Sequence, residues 1–295
     1  MTVQKITHKN PVLEHYHFSN IGFSCKVFPH LGGSIQELSF NDITVIKEIE
    51  LDDAGIEKYK KVFNSAVLFP YPNRVENGHY SFEEEEFQLA VNEPLNQNSI
   101  HGLISDKVFH ATEVATDGIS MQYKHTTSPG FPFPFDFGIH YRFSENSVEV
   151  TFEAVNTGRK AFPFGMGWHP YFQLDDYEAS GIYFSANKEF TVNEKMIPID
   201  TEVYLKEKID LNTAHLDTAY QPTNNEVLLD SSQYKLRILM PEGCFLQLFT
   251  PPDRKSVAIE PMSCLANAFN NGIGLQTLEP NARFSWKISL QITKN

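Results

Sequence analysis

Apolar residues recur at every second position through most of this chain. Across Ser147–Asn156, Val148, Val150, Phe152 and Ala154 face one way and Glu149, Thr151 and Glu153 the other. That is the period of a half-buried strand. Phe284, Trp286, Ile288, Leu290 and Ile292 repeat it near the C-terminus, and Tyr234, Leu236, Ile238 and Met240 give a third example. Turn formers separate these runs: Pro29, Gly32-Gly33, Asn77-Gly78, Pro129-Gly130, Asn156-Thr157-Gly158, Pro251-Pro252 and Asn271-Gly272. Gly22–Pro29 and Ser34–Phe40 read as a hairpin about His30-Leu31-Gly32-Gly33, while a helical pattern shows only in a short stretch, Asp52–Lys61. The rigid aromatic segment from Pro129 to Phe135 reads as packing at one end of the fold. Many short strands with frequent turns predict an all-β protein, a large antiparallel β-sandwich rather than a parallel α/β sheet. No repeat, linker or shift in composition divides residues 1–295, which read as one domain.

Composition narrows the partners. With 295 residues, 41% of them hydrophobic and 13% aromatic, the chain can bury a sizeable core. A formal net charge of −13 argues against nucleic acid and anionic membranes as partners, and against strongly anionic substrates unless a local basic pocket overrides it. The first twenty residues carry Lys5, His8, Lys9 and Glu14 and lack the apolar run of a signal peptide, and no later stretch approaches the roughly 18 apolar residues of a membrane span. Cys25, Cys244 and Cys264 are odd in number and far apart, so they read as buried reduced thiols in a cytoplasmic protein.

The stretch with most chemical promise is Pro163-Phe164-Gly165-Met166-Gly167-Trp168-His169-Pro170-Tyr171-Phe172. His169, biased towards extended backbone by Pro170, is a titratable imidazole between Trp168 and Tyr171, whose rings are flat apolar walls of the kind sugars pack against. Arg74 falls on a bend between Pro72 and Asn77-Gly78, where an exposed surface arginine is the ordinary role; His101 falls on a polar loop ending in Gly102, and Asp217 lies between small and apolar residues. Glu260 ends the apolar run Val257-Ala258-Ile259, where a charge is costly unless it is paired or used. Glu83-Glu84-Glu85-Glu86 reads as a solvated hairpin turn, and His15 and His17 lack a third ligand for a metal.

Taken in order, Asn73-Arg74-Val75-Glu76-Asn77-Gly78, Asn98-Ser99-Ile100-His101-Gly102, Pro163–Phe172, Leu216-Asp217 and Ile259-Glu260-Pro261 with Ala268-Phe269-Asn270 resemble the aldose 1-epimerases, the galactose mutarotases and their relatives. The resemblance runs from about Gly22 to the last strand. It implies the galactose mutarotase-like supersandwich, with a sugar cleft on one sheet. It also implies roles: His169 as the acid that protonates the sugar ring oxygen, Glu260 as the base at the anomeric hydroxyl, His101 beside the same ring oxygen, and Arg74 and Asp217 on the remaining hydroxyls. The chain departs from the family pattern at a hairpin turn read here as Glu84-Glu85 in place of Asp-Gly, at Pro261-Met262 after Glu260, and at Leu278-Glu279-Pro280-Asn281, where a glycine is missing and Glu279 competes as the base.

Interconverting α and β anomers requires the ring oxygen to gain a proton as the anomeric hydroxyl loses one, so the acid and base are expected to face each other across the width of one pyranose ring. A positioned proton-transfer group typically contributes about 10²–10⁴-fold. Such chemistry needs no metal and no other cofactor, in keeping with the lack of a Walker loop, G-x-G-x-x-G or H-E-x-x-H. The partner is then a small monosaccharide; the preferred aldose and the oligomeric state are not written in these motifs. Two rival readings remain at this level. A hexose 6-phosphate mutarotase would need a cationic cluster, for which only Arg74, Arg142 and Arg254 lie near the motifs. A non-catalytic carbohydrate-binding sandwich would need neither His169 nor Glu260.

Overall fold

The computed structural model describes residues 1–295. The alternating stretches become strands of two large antiparallel sheets. The nine-stranded sheet runs His110–Ala115, Gly118–His125, Phe135–Phe143, Ser147–Asn156, Arg283–Lys294, Tyr234–Leu239, Glu226–Asp230, Gly181–Tyr183 and Lys208–Asp210. The eight-stranded sheet runs Pro198–Val203, Ala186–Val192, Asp217–Pro222, Phe245–Phe249, Ser256–Met262, Gly167–His169 and Ala66–Leu68, with Tyr171–Gln173 pairing beside Ser256–Met262. A five-stranded N-terminal sheet spans Thr2–Ile6 to Ile43–Ile46 and includes the expected hairpin, Phe23–Phe28 with Ser34–Phe40.

Alternation decides what is buried. Val148, Val150, Phe152 and Ala154 are fully buried, and Phe152 and Val150 lie opposite Trp286 and Ile288 in register. Each such Val, Ile or Phe side chain contributes roughly 1.5–3 kcal/mol by leaving water. One continuous core joins them to Leu246, Leu248, Val257 and Ile259 of the eight-stranded sheet and to Phe18, Cys25 and Leu38 of the N-terminal sheet. The intervening residues of the eight-stranded sheet, Gln247 and Glu260 among them, therefore face away from that core.

Local chemistry sets the connections. The helix forms at Asp53–Val62; Asp52 caps it by accepting the Gly55 N–H at 2.9 Å, and Lys60 and Lys61 in the last turn favour the negative end of its dipole. Phe63 ends it in the left-handed region at φ 54°. The acidic hairpin joins His79–Phe82 to Glu85–Gln88 through Glu83-Glu84, at φ 49° and 65°, rather than through Glu84-Glu85. That register lays Tyr80 opposite Phe87, ring centroids 5.0 Å apart, and a slip of one residue would put the two rings on opposite faces. Phe131, Phe133 and Phe135 are buried, with Phe131 edge-on to Phe162. All three cysteines are buried and unpaired, and no helix is long and apolar enough to cross a membrane.

Candidate active site

The non-core face of the eight-stranded sheet floors a cavity of about 680 Å³. His169 and Glu260 meet there for a reason of register. Gly167 pairs with Met262 and Tyr171 with Ala258, so His169 falls opposite Glu260 in the gap where Pro170 interrupts the ladder. Cross-strand neighbours on one face touch: His169 Nε2 lies 3.4 Å from Glu260 Oε1. The expected separation of one pyranose width is thus replaced by direct contact. The chemistry accounts for the difference, because the two oxygens to be protonated and deprotonated sit on one carbon.

Gly165 and Gly102 bring the backbone segments together. A Cβ on Gly165 would lie 2.1 Å from Cys264 Sγ. Gly102, at φ +73°, follows His101, itself at φ 64°, and a Cβ there would lie 2.3 Å from the Phe69 carbonyl oxygen. His101 donates its backbone N–H to Asn73 O at 2.9 Å, and its ring sits edge-on to His169 at 4.9 Å and against Phe63 at 4.7 Å. Gly102→Ala is expected to cost about 1–3 kcal/mol through backbone strain alone, seen as a lower thermal midpoint. An unchanged midpoint would show that the loop carrying His101 relaxes freely.

Across the floor, Asp217 accepts from Gln247 Nε2 at 2.7 Å and lies 3.9 Å from Arg74 NH2. Tyr171 stacks over His169 at 5.0 Å. Burial governs the charges. It pulls the His169 imidazole down to about 4 and His101 well below the ordinary histidine value, each lowered further by the positive charge of Arg74. Burial likewise pushes the Glu260 carboxyl well above the ordinary range, with Asp217 adding repulsion and Arg74 offsetting part of it. Burial thus favours the uncharged form of both side chains. His169 Nδ1, His101 Nδ1 and Glu260 Oε2 are buried without a hydrogen-bond partner, so the floor carries unused polar capacity.

His169, Glu260, His101, Arg74, Asp217 and Tyr171 all line the one cavity. Trp168 does not. Its neighbour His169 faces the cavity, so by strand alternation Trp168 turns into the core, fully buried, with Nε1–H donated to Ser65 O at 3.2 Å. Its expected place as a wall for substrate is corrected to a packing role. Arg74 is not on an exposed bend either; its side chain is 11% accessible because Glu93 covers it. Glu279, the competing base, is exposed and away from the cavity. Gln247, Glu93, Lys60 and Lys61 line the cavity and were not singled out in the sequence. Gln247 was the most findable, as a polar residue in the apolar run Phe245-Leu246-Gln247-Leu248-Phe249.

Comparison with known proteins bears on the family and the fold. Residues 14–291 match the model of the family described as aldose 1-epimerase. The chain is 27% identical to the uncharacterized protein YihR of Escherichia coli over 84% of each chain, and 23% identical to human galactose mutarotase over 68% of this chain and 54% of that protein. A galactose mutarotase-like protein from Clostridium acetobutylicum superposes with a TM-score of 0.87 at 18% identity, covering 99% of this chain and 98% of the other. Galactose 1-epimerase from Lactobacillus acidophilus superposes with a TM-score of 0.81 at 17% identity, covering 100% and 98%. At those identities the structural likeness speaks to the fold, and the match along nearly the whole sequence speaks to descent: this chain belongs to the aldose 1-epimerase family.

Proposed function

We propose that this protein interconverts the α and β anomers of a free aldose by opening and reclosing the hemiacetal ring at the His169–Glu260 pair. The observation that carries the reading is a buried imidazole and a buried carboxyl in 3.4 Å contact on the floor of an open cavity. The cavity, about 680 Å³, lies within the roughly 300–1,000 Å³ of small-ligand sites.

In this reading the pair carries one proton between its two members, held on Glu260 before the sugar binds. Sugar hydroxyls donating to Glu260 favour its carboxylate, which moves the shared proton towards His169. The imidazolium then protonates the ring oxygen while Glu260 takes the proton from the anomeric hydroxyl, and the C1–O5 bond breaks. The pair still holds one proton, now on Glu260. After C1 turns, the same two transfers run backwards on the opposite carbonyl face and close the other anomer. His101, beside His169, is assigned to the ring-oxygen side, and Arg74, Asp217 and Gln247 to the remaining hydroxyls. Tyr171 forms an aromatic wall next to His169.

A pair that works with one proton has two pH limits. As pH falls through about 4, His169 gains a proton while Glu260 keeps its own, and kcat/KM falls. As pH rises past the elevated Glu260 range, the pair loses its only proton and kcat/KM falls again. The profile, corrected for the uncatalysed rate, is therefore expected to be bell-shaped. A profile flat from pH 3 upwards would remove the pair from the mechanism.

A second reading takes support from Lys60 and Lys61 at the cavity edge, where a sugar phosphate would find cations. It gets no help from Arg254, which donates to the carbonyls of Leu211, Asn212 and Ala214, or from Arg142, on the nine-stranded sheet beside Asp117. Lys60 is already paired with Glu57 at 2.7 Å. Polarimetry on freshly dissolved α-D-glucose, α-D-galactose and glucose 6-phosphate separates the readings. We expect acceleration on a free hexose. Acceleration confined to the phosphate would favour the second reading, and sugar binding with no acceleration of either would leave a carbohydrate-binding sandwich.

A further inference from the structure

Glu93 lies outside the proton-transfer pair, yet it makes the densest set of polar contacts at the cavity. Arg74 donates Nε–H to both Glu93 oxygens, at 3.1 and 3.0 Å, and NH2 to Oε1 at 2.9 Å. Asn96 and Asn98 donate their side-chain amides to the same carboxylate at 2.9 and 3.1 Å. The segment is closed on itself by paired backbone bonds between Glu93 and Asn98, and Asn98 also donates to Lys195 O at 2.8 Å, which ties it to the turn between Ala186–Val192 and Pro198–Val203. Burial pushes the Glu93 carboxyl up, but the hydrogen bonds and charge of Arg74, with those of Asn98 and Asn96, reverse this and hold it below the usual carboxylate range.

The donors of Arg74 can be accounted for one by one. A guanidinium has five N–H groups. The Nε–H and one NH2 hydrogen go to Glu93, and one NH1 hydrogen goes to Asn73 Oδ1 at 3.3 Å. One hydrogen on NH1 and one on NH2 are left. NH2 stands 3.9 Å from Asp217 Oδ2, too far to be used up by it and close enough for both to meet adjacent hydroxyls. We propose that Glu93 is a positioning residue, holding Arg74 so that two N–H donors stand beside the Asp217 acceptor and together bind two neighbouring hydroxyls of a neutral sugar. Without the Glu93 carboxylate, the guanidinium is free to swing onto Asp217, and each then consumes the capacity the other offers to substrate. This inference rests on the sugar reading of the cavity.

Glu93→Gln keeps the shape and removes the charge. We expect KM, and the Kd for the same aldose by protein-observed NMR titration, to rise about 10–100-fold, the scale of one charge-assisted contact. kcat should stay within about threefold, because His169 and Glu260 themselves are untouched. Monodeoxy sugars lacking one hydroxyl should lose less affinity with Glu93→Gln than with wild type. Unchanged KM and Kd with only a lower thermal midpoint would overturn the proposal, as would a fall in kcat with KM constant. Should Glu93→Gln fail to fold, Asn96→Ala removes one donor to the carboxylate and is expected to raise KM and Kd about two- to tenfold; no rise would again overturn it. The titration reads Glu93 even if wild type does not accelerate mutarotation, so failure of the catalytic reading and failure of the positioning role are separable.

Discussion

Glu260→Gln is expected to lower the proposed rate of anomer interconversion by about 10²–10⁴-fold, the usual contribution of one positioned proton-transfer group. The substitution preserves volume and exchanges a carboxyl for an amide. Glutamine keeps a hydrogen-bonding oxygen but cannot take up the anomeric proton, so the loss should fall mainly in kcat. The fold should survive: Glu260 sits in a strand buried along its whole length, and its packing neighbours meet a side chain of the same shape. Burial already favours the uncharged carboxyl, so an uncharged amide of the same shape should leave the thermal midpoint close to wild type. Polarimetry beside a melting curve tests both halves. A wild-type rate would reject Glu260 as the base.

The second large effect belongs to His169→Asn, expected at the same scale, about 10²–10⁴-fold. Here the acid limit of the pH profile, near 4 in wild type, should disappear along with the rate, because it belongs to the imidazole. Asparagine leaves a gap under Tyr171, so some loss of stability is expected as well. A purely structural His169 would give a different result: a lower melting temperature with activity retained. Because the two groups pass one proton between them, their losses should not multiply. The double variant Glu260→Gln/His169→Asn is expected to be about as slow as the slower single one, as found for residues that act as a unit.

Much of the fold is legible in the chain because strand burial repeats with period two. The residues that alternate in Ser147–Asn156 and the last strand are the ones that form the core. The same period, applied one residue at a time, would also have turned Trp168 away from the cavity once His169 was assigned to it. The contact between His169 and Glu260 was not legible, because it depends on a pairing register between segments about ninety positions apart and on a ladder interrupted by Pro170. Glu93 and Gln247 escaped notice for a related reason. Each hydrogen-bonds a cavity residue, Arg74 or Asp217, that is remote in sequence, and neither belongs to a motif. The exposure expected of Arg74 followed from its prolines and Asn-Gly turn, which describe the backbone and not what covers the side chain.

One buried pair, His169 and Glu260, is proposed to open and close the sugar ring. The most direct test is anomer exchange at equilibrium, measured by magnetisation transfer between the two H1 resonances of galactose or glucose. We predict that catalytic amounts of wild-type protein raise the exchange rate far above buffer, and that the Glu260→Gln/His169→Asn protein, folded and still binding the sugar, returns it to about the buffer value. Exchange at the buffer rate with wild type and bound sugar, or full acceleration by the double variant, would contradict the account.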